Sequence, residues 1–453
     1  MATAVNTVGS LDIGTFLKIV STKGVYTNLP KASELWTYMQ KIKSGNPEGR
    51  EQRWNIVADR GQSAAQFVAA GDEGSFPASH RSAPQEATAY FKEFAATINV
   101  PRHLLNKQGS ELAAYADSFG YEVEAKMTSV ARMLSRSLCG NGTGILGKVA
   151  SVSNSGTTSL VTLSVATADA GFSHINWMEI GEKVFVMPPA GVTPRRVDTV
   201  NTAVAYFKVS SKNRDTNVVT LTAYDSSDAV ITPDGGTEIV AGDYIRPFGD
   251  YTSDLSSLDK DYNLLSFAFA GLESLGADDG RTCHGLTMSG ALGGSRLDAS
   301  ADTIDRSHFQ SALSLVKERT SGHDYKYDKA FMFTTVYDAL IDSWETDRVI
   351  NSANDTTMGA KGALGFSHGR DFVEFAPDEF IPKTRIWMPP KGDALQYVGT
   401  GIDRVSVGGA SEFMPTNSAG TAHQRAVNAY VEGSGYLRTT HPAALLCIEN
   451  FSI

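Results

Sequence analysis

A continuous apolar periodicity runs from Ser110 to Gly147, SELAAYADSFGYEVEAKMTSVARMLSRSLCGNGTGILG. Leu112, Tyr115/Ala116, Phe119, Val123, Met127, Val130, Leu134 and Leu138 recur at steps of three and four. That spacing lines one face of a helix of roughly eight turns, on the order of 45 Å long, and leaves the other face polar. Ser110 is placed to cap its start. Glu111, Asp117, Glu122 and Glu124 fill the first half, and Lys126, Arg132 and Arg136 the second, which complements the helix dipole. Gly120 costs about 1 kcal/mol in a helix interior and marks a bend, and the glycine-rich run from Gly140 ends the helix. A lone long helix with one wet face reads as a strut.

The remaining periodicities are shorter. Residues 1–29 are small and polar with scattered hydrophobes, and read as an extended arm that orders only by lying on something else. Pro30 to Lys43 predicts a short amphipathic helix with Leu35, Trp36, Met39 and Ile42 on one face. From Arg53 the pattern predicts a long hairpin, with strands over Trp54–Val57 and Ala87–Val100. Between them lie about thirty residues rich in Gly, Ala, Ser and Pro. Two strands cannot bury a core alone, so such a ribbon needs a neighbour, and long loops of this kind are usually binding elements.

From Ile145 to Gly249 the period changes to β-type runs: Leu160–Val165, Lys183–Val186, Ala203–Val209, Val218–Ala223 and Thr237–Val240. Turn-forming clusters at Asn213–Asn217, Asp225–Asp228 and Pro233–Gly236 separate or flank them. Regular spacing of this kind predicts a small barrel or sandwich. Residues 251–453 return to mixed α/β character. Helices are expected around Leu264–Leu272, over Ser307–Arg319 and over Val336–Trp344. Strands are expected at Ala330–Thr334, Phe372–Phe375, Arg385–Met388 and Leu395–Val398. Ala426–Val431 and Ala443–Ile448 predict a final pair, with Gly433, Gly435 and Pro442 near the break between them.

Composition narrows the function classes. A length of 453 residues accommodates two or three compact units. The balance of 40 basic against 50 acidic residues, net −10, argues against a nucleic-acid-gripping surface. With no run of 18 apolar residues and no charged-then-apolar N-terminal pattern, a soluble, non-secreted chain is expected. Cys139, Cys283 and Cys447 stand far apart among apolar or small neighbours and read as buried thiols.

Candidate chemistry is sparse. Gly142-Thr-Gly144-Ile-Leu-Gly147 matches G-x-G-x-x-G, but it follows a helix end where a dinucleotide site needs a helix beginning, so it reads as a helix stop. Lys148 makes no P-loop, because no Ser or Thr follows it. The nine histidines form no i,i+4 pair; His441, before Pro442, reads as structural. Asp254, Asp259 and Asp261 lack EF-hand spacing and read as a solvated loop. The Asn-x-Ser/Thr matches at Asn141, Asn354 and Asn450 carry little weight without a secretory signal. No catalytic, cofactor-binding or metal-ligating residue is assigned, and no enzyme activity is expected.

The order of parts resembles the major capsid proteins of tailed bacteriophages with the Hong Kong 97-like fold. WNIVADRGQSAAQFVAAGDEGSFPASHRSAPQEATAYFKEFAATINVPRHLL resembles their extended loop, and SELAAYADSFGYEVEAKMTSVARMLSRSLCGNGTG their spine helix. DRSHFQSALSLVKERTSGHDYKYDKAFMFTTVYDALIDSWETDR resembles the axial-domain helices, and GYLRTTHPAALLCIENFS the closing peripheral strands. The resemblance implies an α+β fold: an N-terminal arm at 1–50, an extended loop at 51–100, and a peripheral domain with spine helix at 101–145. An inserted β-domain at 146–249, an axial domain at 250–425 and closing peripheral strands at 426–453 complete it. It implies a shell subunit forming homo-pentamers and homo-hexamers of an icosahedral virion capsid around double-stranded DNA held without specific binding. Scaffolding, portal and decoration proteins are the implied partners, no membrane is involved, and assembly takes place in the host cytoplasm. Because no long helical segment precedes the arm, the guiding of assembly is expected of the separate scaffolding protein. The subunit cross-linking some members perform through a loop lysine is not implied, because the stretch from Arg53 to Phe91 holds no lysine and Lys92 lies on the returning strand. An encapsulin-like nanocompartment shell is the alternative of similar fold, and a tail or decoration protein the alternative of another class.

Overall fold

The computed structural model describes residues 33–43, 51–59, 83–101, 128–188, 205–225, 227–232, 238–248, 269–320, 325–345, 365–368, 371–392, 394–399, 403–404, 414–415 and 426–452. The arm over 1–29, the loop tip over 60–82, the helix positions 110–127 and the turn Pro233–Gly236 lie outside these residues. So do Leu264–Ala268, Asp254, Asp259, Asp261 and Asn354.

Pro30–Lys43 is not one helix. Only Glu34–Tyr38 (α1) is helical, with Ser33 as N-cap accepting from the Trp36 amide at 3.2 Å. Met39 is already extended, and Gln40–Lys43 (β1) runs parallel to residues 396–399. A helix this short is marginal by itself, and a vacant sheet edge offers the same backbone groups a complete ladder. Glu51–Asp59 (β2) and Ala83–Tyr90 (β3) form the expected antiparallel ribbon, Glu51 facing Tyr90. The returning strand is broken at Phe91. Lys92–Pro101 (β4) leaves the ribbon and pairs with residues 426–435 instead.

Of the stretch read as a long helix, the described residues include 128–139, which are helical (α2), and Val130, Leu134 and Leu138 are buried on its inner face as the spacing requires. After it come Gly147–Ser155 (β5), Thr158–Leu163 (β6), Lys183–Met187 (β7), Tyr206–Asn213 (β8), Val218–Tyr224 (β9) and Tyr244–Pro247 (β10). These close into a barrel in the order β10-β5-β6-β9-β8-β7, with β7 pairing back to β10. Alternate residues point inward: Val161 and Leu163, Val184 and Val186, Phe207 and Val209, Val219 and Leu221, all at most 3% exposed. The expected strand at Thr237–Val240 is absent from the described part of that stretch, and β5 and β10 close the barrel where no strand was expected. Both carry weak signals, one ending in the polar run Ser-Val-Ser-Asn-Ser and the other only four residues long. A fragment of residues 146–249 should melt cooperatively with a β-type circular dichroism spectrum, because closure leaves no unpaired edge; a disordered fragment would refute an autonomous barrel.

Beyond the barrel lie Leu272–Leu275 (α3), Thr282–Cys283 (β11), Leu286–Thr287 (β12) and Ser295–Asp298 (β13). The helix expected across Leu264–Leu272 is not continuous to Leu272, since Phe269–Gly271 is irregular and Gly271 caps α3. Arg306–Arg319 (α4) is started by a reciprocal capping box between Asp305 and His308 and buries Phe309, Leu313 and Val316. Lys329–Met332 (β14), Thr334–Glu345 (α5), Gly365–His368 (β15), Asp371–Pro377 (β16), Arg385–Met388 (β17) and Leu395–Gly399 (β18) follow. Asp403–Arg404 (β19), Met414–Pro415 (β20), Ala426–Thr439 (β21) and Leu446–Glu449 (β22) end the chain.

Two six-stranded sheets organise these elements. One runs β1-β18-β21-β19, with β4 and β20 also on β21; the other runs β13-β22-β17-β14-β16-β15. The last two strands therefore do not pair with each other: β21 belongs to the first sheet and β22 to the second. Gly433 and Gly435 mark no break either. They lie within β21, where a Cβ would strike the rings of Phe94 and Tyr397 laid across the strand. Filling that space would cost about 1–3 kcal/mol of overpacking. One apolar core joins α1, α2, the barrel interior and α3, and a second lies between α4, α5 and the second sheet.

Candidate functional site

The residues singled out for chemistry resolve into junctions between elements. After α2, Gly142 and Gly144 take φ of +84° and +71°, the left-handed conformation that favours glycine, and Gly147 opens β5. Asn141 closes the turn by accepting from the Thr143 amide at 3.1 Å and from its hydroxyl at 2.7 Å. A cavity of about 180 Å³ opens here, lined by Met133, Arg136, Gly140, Asn141, Trp177 and Pro247 among others. It sits at a helix C-terminus, where the dipole opposes a phosphate, and its one cation is engaged. The Arg136 Nη1 donates to Glu182 at 2.9 Å and to the Trp177 carbonyl at 3.1 Å. With the Arg132–Glu179 pair at 2.6 Å, these contacts weld α2 to the barrel. Lys148 reaches Asp169 at 3.0 Å, a structural ion pair.

The hairpin base is the second junction. Trp54 stacks on Tyr436 at 6.2 Å, meets the His284 ring edge-on at 5.3 Å and donates its Nε1 to the Thr439 carbonyl at 3.2 Å. Phe91 packs edge-on against Tyr436 at 5.0 Å, and the Tyr436 hydroxyl donates to Gln52. On the ribbon's other side Arg53 pairs with Glu86 at 2.9 Å, both side chains exposed, a contact worth little.

A buried ionic lattice, unforeseen from the sequence, is the third. Glu273 on α3 accepts from Arg296 Nη2 and Arg385 Nε, both at 2.7 Å. Glu449 accepts from Arg296 Nη1 at 2.8 Å and lies 3.2 Å from Arg385 Nη2. Burial alone would raise the Glu273 carboxyl; the charges of Arg296 and Arg385 outweigh it and hold the group at about 2. The lattice joins α3, β13, β17 and β22.

The three cysteines are free and buried. Burial pushes the Cys283 thiol up to about 12 and those of Cys139 and Cys447 upward as well, which removes nucleophilic character. His441 precedes a one-turn 3-10 helix over Pro442–Ala444 and packs its ring on Tyr325 at 5.6 Å. Asn450 donates to Asp298 at 2.8 Å. Among the described residues no three His, Cys, Asp or Glu side chains are grouped to hold a metal, and no helix is long and apolar enough to cross a membrane. The arrangement is one of welds and anchors.

No protein-family model matches the chain, and no curated protein sequence matches it. Solved structures do. A chain of the cyanophage A-1(L) capsid asymmetric unit superposes with a TM-score of 0.50 at 8% identity, covering 93% of this chain and 93% of that one. A chain from the capsid of the native GTA particle gives 0.41 at 9% identity over 92% and 90%. One from the satellite phage P4 procapsid including size determination (Sid) protein gives 0.36 at 10% over 98% and 97%. The cyanophage chain carries the assignment: this protein has the α+β fold of a phage capsid protein.

Proposed function

We propose that the chain is a non-catalytic shell subunit, assembling as homo-pentamers and homo-hexamers into the icosahedral capsid of a tailed phage around double-stranded DNA. The observation that supports this reading most is the extent of the match: similarity to the cyanophage A-1(L) capsid chain spans 93% of both chains. The ribbon β2–β3 supports it physically, being anchored at its base and too thin to be a domain. On this reading 51–100 is an extended loop, 101–145 carries the spine helix, 146–249 is an inserted domain, and 250–425 with 426–453 supply the axial and closing parts. Scaffolding, portal and decoration proteins are its partners, and the virion its destination after assembly in the host cytoplasm. Sedimentation velocity of the purified protein tests the proposal. Material far heavier than one 48.5 kDa chain is expected, whereas a single-chain species at every concentration contradicts it.

The charge balance adds a second expectation. With 50 acids against 40 bases, the inward surface is neutral or negative and lets DNA slide during packing and release. Free subunits should therefore give no electrophoretic shift with duplex DNA at low salt. A tight complex whose affinity falls steeply with salt would reveal a basic inner face.

A further inference from the structure

Besides its contacts with α2 and the shared apolar core, the barrel holds a turn of the chain beyond it through one short segment. Its one-turn 3-10 helix Ile175–Trp177 and the preceding His174 aim three polar side chains at two carbonyls of the turn over 378–384. His174 Nε2 lies 2.9 Å from the Glu379 carbonyl, Asn176 Nδ2 donates to the same oxygen at 3.2 Å, and Trp177 Nε1 donates to the Phe380 carbonyl at 2.8 Å. A carbonyl only accepts, so the proton of His174 sits on Nε2. The ring is 5% exposed, wedged edge-on between Phe333 at 5.2 Å and Trp177 at 6.0 Å. It is also the one histidine between residues 146 and 249.

The charged groups around this joint make a second proton unwelcome. From the turn, Lys383 faces the ring and donates to the Arg214 carbonyl at 2.7 Å. Asp378 is turned away to Ser33 at 2.6 Å and the Phe380 amide at 2.9 Å, and the Glu379 carboxylate lies toward Arg214 at 3.5 Å. From the barrel, Lys212 and Arg214 add positive charge, Asp215 lies near Lys383, and Glu179 and Glu182 are taken by Arg132 and Arg136 of α2. Among the described residues no carboxylate hydrogen-bonds the ring.

We infer that this joint is an acid-labile latch, in which protonation of His174 frees the barrel from the 378–384 turn while the barrel itself stays folded. An imidazolium there would add a buried charge amid Lys383, Lys212 and Arg214. Burial first, and then those cations, lower the docked ring from 6.5 to about 4 against the opposing hydrogen bond to Glu379. A group depressed on docking gives full docking above its free value and loses it as pH falls between the two. Because Lys212 and Arg214 stay with the barrel, the docking constant drops at most about 30-fold by about pH 5 and at most about 300-fold once both forms are protonated.

Hydrogen–deuterium exchange of the full chain at about pH 7 and about pH 5, corrected for intrinsic rates, tests the latch. Peptides over 173–182 and 378–384 should lose protection at the lower pH, by at most about 30-fold, with β6 and β9 unchanged. His174→Gln, which retains an amide donor and cannot titrate, should abolish that difference. Unchanged protection of the joint, simultaneous loss in the barrel strands, or a wild-type response in H174Q would each overturn the inference. Should H174Q not fold, C2-proton exchange of His174 in the wild-type chain decides: a midpoint near 4 upholds the latch and one near 6.5 ends it.

Discussion

Removal of residues 62–84 is expected to abolish shell closure while leaving a folded, soluble subunit. The deletion takes the outermost pairings of the ribbon, Val57 with Pro84 and Asp59 with Ala83, and leaves Glu51–Ile56 opposite Gln85–Tyr90. Among the described residues, the side chains that hold the ribbon to its own subunit lie in the retained part. Ile56 and Ala87 are buried at 6% and 0% exposure, and Trp54, Phe91 and Tyr436 form the aromatic anchor. The core is therefore untouched, and the melting profile should match the parent. Residues 62–82 lie outside the described residues, and a loop of their length and Gly/Ala/Ser/Pro composition is expected to serve as a binding element toward another subunit. Circular dichroism melts together with particle counts by electron microscopy check both halves. Normal particles from the deletion would remove the hairpin from any assembly role.

The largest loss of stability from a single substitution should come from Glu273→Ala. It strands two guanidiniums, Arg296 and Arg385, with side chains 14% and 4% exposed, on the one remaining acid, Glu449. Removing one partner from a buried ion cluster costs about 3–5 kcal/mol, far more than the intact cluster adds over an apolar replacement. The same carboxylate makes a pH signature. Its folded value of about 2 lies below its ordinary 4.5, so its contribution is complete above 4.5 and is lost as pH falls through about 2. The full shift corresponds to about 3 kcal/mol. Urea denaturation of the parent and E273A at neutral pH measures the first effect, and an acid series the second. A loss under about 1 kcal/mol would mean that the lattice relaxes to solvent and is no weld.

What is legible in the sequence follows from how local its cause is. Phe309, Leu313 and Val316 reveal α4, and the alternation in Val218–Tyr224 reveals β9, because each buries its own face at its own period. The arm's strand β1 is hidden, since Gln-Lys-Ile-Lys has no β signal and becomes a strand only because β18 lies alongside it. The break at Phe91 is hidden for the same reason, being set by the distant partner β21. Gly433 and Gly435 mislead, because glycine signals chain breaks and close ring packing alike. The ionic lattice is invisible from Leu-Glu-Ser-Leu, where Glu273 reads as a solvated helix residue. Its partners on β13, β17 and β22 meet it only after both the sheet and α3 have formed. The glycine run after α2, by contrast, reads correctly as a helix stop, because the dipole argument depends only on what precedes and follows it.

Whether this chain builds a shell is decided by negative-stain electron microscopy of the purified, concentrated protein. The expectation is hollow, thin-walled particles, or curved fragments of them, built from five- and six-membered rings. Fields containing only isolated subunits, at concentrations where the protein remains soluble and folded, would contradict it.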